Sequence, residues 1–177
     1  MGRLLVITGP PGAGKSTVAR ILADRAKLSV LVNGDAFFGF LASGAIQPWL
    51  EESNDQNEVV TRAAASAAGK YASGGYLTVY DGVVGPWFLP TFFAETSLEQ
   101  LDYVILLPDV ESCVRRVDTR RGHGFRDESA TRKMHEEFVS ARIDGRHVLV
   151  DPPDDPEAVA SLVEDESRAG TLAYPPM

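Results

Sequence analysis

Three features of the sequence predict a three-layer α/β fold, a five-stranded parallel sheet flanked by helices. Short apolar runs alternate with longer amphipathic stretches along the chain, the pattern of strands joined by crossover helices. Each apolar run stops at glycine, aspartate or proline, residues that end strands and open turns. The first run leads straight into a glycine-rich turn and then a helical stretch. At 177 residues the chain suits one core, so residues 1–177 are read as a single domain.

In order, residues 3–8 form the first strand, and a helix spans about 15–26. Residues 29–33 form the second strand, ending at Gly34-Asp35. Residues 54–72 form an alanine-rich helix with Val59, Ala63, Ala67 and Tyr71 on one face, able to lie close to a neighbour. The third strand, 76–80, delivers Asp81-Gly82, and the fourth, 103–107, stops at Pro108. A helix follows with Cys113 as a small buried side chain. Another helix, 131–142, turns Met134, Phe138 and Ala141 inward. The fifth strand, 146–150, stops at Asp151-Pro152-Pro153. The last helix, 156–166, is capped by Asp154 or Asp155 with Pro156 in its first turn.

Composition bounds the function. Apolar residues make up 44% and charged residues 24% of the chain, a soluble globular balance. No apolar run approaches the roughly 18 residues that a membrane span requires, and the start is too short for a signal peptide. The expected location is cytoplasmic. A lone cysteine excludes an internal disulfide. His123, His135 and His147 have no metal-ligand spacing. The net charge of −8 disfavours a sequence-independent grip on nucleic acid. Even so, eight of the seventeen lysines and arginines fall between Arg115 and Arg142.

Gly9-Pro10-Pro11-Gly12-Ala13-Gly14-Lys15-Ser16 fits the P-loop pattern G-x-x-x-x-G-K-[ST] at every fixed position. Glycines allow the backbone to turn successive N–H groups toward an anion. The helix behind the loop adds its free N-terminal N–H groups and the positive end of its dipole. Lys15 places a charge on the β- and γ-phosphates, and the Ser16 hydroxyl is suited to ligate Mg²⁺. Thr17 continues into the helix toward the α-phosphate. The strand before the loop and the helix after it supply the context the pattern needs. Gly9 to Thr17 are therefore expected to hold a nucleotide triphosphate. No Asn-Lys-x-Asp guanine-reading motif occurs, which favours ATP over GTP.

Ligands of open α/β sheets gather outside the carboxyl ends of the strands. Asp35 and Asp81 both end strands beside the cradle. One such carboxylate accepts the proton of an attacking hydroxyl, and the other orders water around Mg²⁺. We assign Asp35 as the base and Asp81 as the metal residue acting through water; the pattern also allows the two roles to be exchanged. The competing role for Asp35 is a helix N-cap.

The P-loop followed by Val32-Asn33-Gly34-Asp35 resembles the small P-loop kinases that phosphorylate hydroxyl groups, with spacing similar to the chloramphenicol phosphotransferase family. Tyr80-Asp81-Gly82 is similar to the Asp-Gly of nucleotide kinases, although Val83 to Trp87 depart from their pattern. The resemblance implies the kinase sheet, phosphoryl transfer and a movable arginine-rich lid after the fourth strand, at about 115–130. Arg116 and Arg120 share a helix face there, and Arg126 follows across Gly122-His123-Gly124. Lid arginines stabilise charge on the transferred oxygens. The resemblance also implies that adenine sits near Pro152 and Asp154.

Between Asp35 and Leu101 only Arg62 and Lys70 are basic, too few for an acceptor that carries a phosphate. The same stretch holds Phe38, Trp49 and Trp87 among eight aromatic residues, excluding tyrosines. Phe38, Arg62, Asp81 and Trp87 join Asp35 as candidate acceptor-binding residues. The expected reaction is ATP- and Mg²⁺-dependent phosphorylation of a hydroxyl on a small, largely uncharged molecule. Alternatives are a nucleoside, nucleotide or polynucleotide 5′-kinase, and an ATPase switch without a metabolite acceptor.

Overall fold

A computed structural model of the protein describes residues 2–119 and 127–175. Its centre is a sheet of parallel strands in the order β2-β3-β1-β4-β5. These are β1 (Arg3–Thr8), β2 (Ser29–Asn33), β3 (Leu77–Asp81), β4 (Leu101–Leu107) and β5 (Val148–Val150). A sixth strand not foreseen from the sequence, β6 (Ala173–Tyr174), pairs antiparallel with the start of β4. At two residues it is too short to carry a period-2 signal.

The helices are α1 (Lys15–Arg25), α2 (Gly34–Phe38), α3 (Asn54–Ser73), α4 (Leu89–Thr96), α5 (Val110–Thr119), α6 (Glu128–Ser140) and α7 (Pro156–Ala169). Asp155, not Asp154, caps α7, accepting from Glu157 N at 3.1 Å. The expected fifth strand is shorter, because residues Gly145–His147 form a 3-10 turn under the Asp144 cap. No described helix is long and apolar enough to cross a membrane.

Central strands are buried on both faces, so alternate side chains serve two cores. Leu4, Val6, Tyr103 and Ile105 pack against α3, α4 and Phe138 of α6. Leu5, Ile7, Val104 and Leu106 pack against α1 and α7 through Val18, Leu22, Val159 and Val163.

The inward face of α3 differs from the expected one. Val60, Ala64, Ala68 and Ala72 are buried, whereas Val59 is 65% and Tyr71 48% exposed. The two stripes are one residue apart, about 100° around a helix. An alanine-rich segment distinguishes them poorly, since both carry small apolar residues. Close approach decides the matter: a Cβ at Gly69 would lie 2.1 Å from Thr96 O of α4. Tyr71 instead meets Tyr76 edge-on, with ring centroids 6.2 Å apart.

Parallel register places the functional edge. Ile7 of β1 and Asn33 of β2 both pair with Asp81 of β3. The strands therefore finish level, and the segments that leave them converge on one side of the sheet.

Candidate active site

The glycine turn leaves β1 where a side chain could not. A Cβ on Gly9 would meet Leu106 O at 2.2 Å, and one on Gly12 would meet Cys113 O at 2.3 Å. Gly12 and Gly14 also have φ of +79° and +92°, a region that L side chains rarely adopt. Gly14 caps α1 with no side-chain help, so the first amides of α1 remain available to an anion. Lys15 Nζ donates to the carbonyls of Gly9 and Pro10, both at 2.9 Å. The ammonium is thus held across the mouth of the loop. Ala13 is buried beneath, while Ser16 and Thr17 are exposed at the head of α1. This cradle fits a nucleotide polyphosphate.

The adjoining cavity has a volume of about 460 Å³, within the range of small-molecule sites. Pro11, Gly12, Lys15 and Ser16 bring the phosphate loop to its wall, and Asp35, Phe38, Asp81 and Trp87 line it as well. Three other groups of lining residues were not predicted. Glu51, Asn54, Asn57 and Thr61 come from α3 and the turn before it; Tyr80 comes from β3; Lys133, Met134 and Glu137 come from α6. Pro48 and Trp49, in the chain segment between α2 and α3, line it as well.

Asp35 is not a helix cap. Asn33 caps α2, its Oδ1 accepting from Asp35 N at 2.9 Å. The Asp35 side chain is exposed at the cavity, whereas Asp81 is buried. Tyr80 is buried next to both. Burial first, then the charges of Asp35 and Asp81, hold its phenol well above the ordinary tyrosine range. It stays protonated at any working pH.

Two side chains hold the segment after Asp81. Thr8 Oγ1 accepts from Val84 N at 2.9 Å, and Tyr103 OH donates to Val84 O at 2.7 Å. Both backbone polar groups of one buried residue, Val84, are thus satisfied by side chains of β1 and β4. The next residues carry Trp87, whose ring leans on Phe138 at 5.2 Å.

The structure places the remaining predicted residues as follows. Arg116 of α5 reaches Asp154 Oδ1 at 3.1 Å and the Gly12 carbonyl at 3.5 Å. Pro152 lies beside it in the segment after β5, half-buried. Arg62 lies elsewhere: its Nε donates to Glu95 Oε1 at 2.7 Å, and Glu58 is 3.8 Å away. It forms a surface ion pair between α3 and α4 and does not line the cavity. Arg120 and Arg126 lie outside the described residues, as does the middle of the predicted lid, 120–126.

No cluster of three or more His, Cys, Asp or Glu suited to a metal occurs among the described residues. Ser16 and Asp81 both line the cavity and could offer oxygen donors to a magnesium ion, beside phosphate oxygens and water. The buried Asp81 carboxylate and exposed Ser16 hydroxyl on one cavity fit that donor set.

The sequence matches the model of the AAA domain family over residues 8–134, well over half the chain. The chain belongs to the AAA domain family. This family member has the fold of small P-loop kinases. A tunicamycin resistance protein of Deinococcus radiodurans superposes with a TM-score of 0.71 at 13% identity, covering 99% of this chain and all of that one. A sugar kinase of Janibacter sp. HTCC2649 gives 0.68 at 21%, covering 97% and 94%. The APS kinase of Mycobacterium tuberculosis, in complex with AMPPNP and APS, gives 0.67 at 17%, covering 94% and 98%. Identities this low establish a shared fold and no more. No curated protein matches the sequence.

Proposed function

We propose that this AAA-family chain transfers the γ-phosphate of ATP to a hydroxyl of a small, largely uncharged organic molecule, such as an antibiotic, sugar or nucleoside-like compound. The observation that carries the reading is Asp35. Asn33 relieves it of helix capping, and it lines the same cavity as Lys15 and Ser16. A carboxylate so placed accepts the proton of the attacking hydroxyl. The hydroxyl oxygen forms a bond to the γ-phosphorus while the bond to the β–γ bridging oxygen breaks and ADP departs. Lys15 holds the β- and γ-phosphates, and Arg116 faces the same loop from α5. Mg²⁺, when bound, would be held by Ser16 and through water by Asp81 and would supply charge neutralisation at those phosphates.

The wall chemistry supports an uncharged acceptor. Four carboxylates (Asp35, Glu51, Asp81 and Glu137) and only two ammonium groups (Lys15 and Lys133) line the cavity, with no arginine among the described lining residues. A phosphate-bearing acceptor would face net repulsion there, since buried dianions require paired cations. Similarity of fold to a sugar kinase and an APS kinase agrees with phosphoryl transfer. The test is Asp35→Asn, assayed by acceptor-stimulated ADP release across a screen of hydroxyl compounds. Transfer should fall by about 10²- to 10⁴-fold with MgATP affinity kept within a few-fold. Undiminished transfer by the variant removes Asp35 from the role.

A further inference from the structure

Two hydroxyls in the cavity wall lack a hydrogen-bond partner among the described residues. Thr61 of α3 is 7% exposed and Tyr80 of β3 is 4% exposed, and both line the cavity. Among the described residues neither hydroxyl makes a hydrogen bond, yet neither is sealed from the cavity as a buried unsatisfied atom would be. Two threonines on other helices show the local alternative open to such a hydroxyl. Thr119 and Thr131 each return their hydroxyl to the carbonyl four residues earlier, at 2.8 Å. Thr61 leaves that bond unmade and keeps its hydroxyl for the cavity. Tyr80 has no alternative route, because its ring is wedged against Phe92 at 4.8 Å and its hydroxyl lies over Gly34.

A hydroxyl that faces a cavity without a protein partner takes its hydrogen bonds from a ligand or water, so two of them in one cavity mark where a ligand can complete the bonds. Both groups act as donor and acceptor, and neither bears charge. Phe38, Trp49 and Trp87 line the same cavity with aromatic surface. The aromatic residues suit the C–H face of a ring, and the hydroxyl pair suits groups at its edge.

Resting on the transferase reading above, we infer that the acceptor is a neutral ring polyol, and that the Thr61 and Tyr80 hydroxyls bind a further hydroxyl beside the one phosphorylated. Such a site discriminates through its own unpaired groups. An acceptor that lacks the second hydroxyl leaves Thr61 and Tyr80 unsatisfied, whereas a polyol satisfies them.

The test uses the full chain and its Thr61→Val and Tyr80→Phe variants, each losing one hydroxyl and little volume. Because neither hydroxyl has a partner among the described residues, thermal midpoints should stay level or rise, and calorimetric MgATP affinity should hold within about twofold. A clear drop in midpoint for either variant would reveal a structural partner and overturn the inference. Turnover is then measured with three probe sets: cyclic polyols and simple pyranosides, benzyl alcohol and related monohydric alcohols, and sugar phosphates. Polyols should be preferred, with kcat/KM reduced about tenfold or more in each variant, the loss of one hydrogen bond to a buried group. Equal use of monohydric alcohols, or variants that retain full polyol turnover, would overturn it. A preference for sugar phosphates would overturn both this inference and the uncharged-acceptor reading. MgATP binding without turnover of any set would count against the transferase reading itself and carry the inference down with it.

Discussion

The Arg116 guanidinium donates to Asp154 Oδ1 at 3.1 Å, joining α5 to the segment that follows β5. The same guanidinium lies 3.5 Å from the Gly12 carbonyl, so one side chain spans the phosphate loop and the proposed adenine edge. Both partners are substantially exposed, and exposed ion pairs contribute only about 0–1 kcal/mol. The pair is therefore a positioning contact. Arg116→Ala should lower the transfer rate by about 10²- to 10³-fold, the loss seen when one donor to a developing oxyanion is removed. Asp154→Ala should change the rate several-fold at most and leave the thermal midpoint almost unmoved. Steady-state kinetics of the two variants with a saturating acceptor distinguish these outcomes, and equal losses would show that Arg116 acts only through Asp154.

The phosphate loop makes a second prediction. Gly12→Ala would place a Cβ 2.3 Å from Cys113 O, a backbone atom that has no flexible end to move. The strain should push the loop from α5 and weaken MgATP binding by at least about tenfold, comparable to Lys15→Ala, which removes the phosphate charge. Titration calorimetry reads both. Cys113 reports the same packing. Burial raises its thiol to about 11, and the nearby Lys15 and Arg116 charges offset only part of that rise. At pH 8 a thiol reagent should label native protein slowly, unfolded protein at once, and Gly12→Ala at an intermediate rate.

These loop contacts explain why part of the site was legible and part was not. Gly9 to Ser16 is contiguous, so its chemistry is written in consecutive residues with a strand before and a helix after. Asp35 and Asp81 were legible because strand ends in a parallel sheet share an edge, and Asn33 and Ile7 do flank Asp81. Thr61, Lys133 and Glu137 were not. They reach the cavity only through the rotation of α3 and the placement of α6, which long-range packing sets. The inward stripe of α3 was misjudged by one residue because alanine on either side gives the same periodicity. Had Gly69 been read as a contact glycine, the buried stripe Ala65, Ala68, Gly69 and Ala72 would have followed, and with it the side that carries Thr61.

Far from the cavity, Asp102 and His147 give opposite pH responses. His147 is buried, and burial outweighs the bond between its Nδ1 and the Tyr103 carbonyl, so its pKa is lowered. The unfolded chain, near the ordinary value of about 6.5, takes up a proton before the folded chain does. Stability is then full above about pH 6.5 and declines as pH falls below it. Asp102 is raised, burial outweighing the 2.6 Å bond from Ser167 and the Arg3 and His147 charges. The folded state protonates first, so this residue restores stability as pH falls through its folded pKa toward the ordinary value of about 3.9. Urea unfolding across pH 4 to 8 should show Asp102→Asn at least as stable as wild type at pH 8, with the advantage shrinking on acidification. His147→Gln should flatten the decline below about pH 6.5. Parallel curves for all three proteins would refute the assignment.

The wall bearing Trp49 depends on a clamp at the start of α3. Gln56 accepts from Ile46 N at 2.8 Å and donates to Ile46 O at 2.7 Å, closing a two-bond ring with one peptide. One residue on, Asn57 donates to Pro48 O at 2.7 Å and Ser53 Oγ at 2.9 Å. Ser53 Oγ, at the cap of α3, also donates to Pro48 O at 3.0 Å, whereas Phe40, toward the other end of that segment, is 74% exposed. Gln56→Ala should therefore loosen the Pro48–Trp49 wall without reaching the phosphate loop. Each lost bond is worth about 0.5–1.5 kcal/mol, so the acceptor KM should rise by roughly five- to tenfold. MgATP affinity should not change, because Lys15 and the glycine turn are anchored on β1 and α1. A matched fall in nucleotide and acceptor affinity would show that the two ends of the cavity move as one body, and that the clamp serves the whole site.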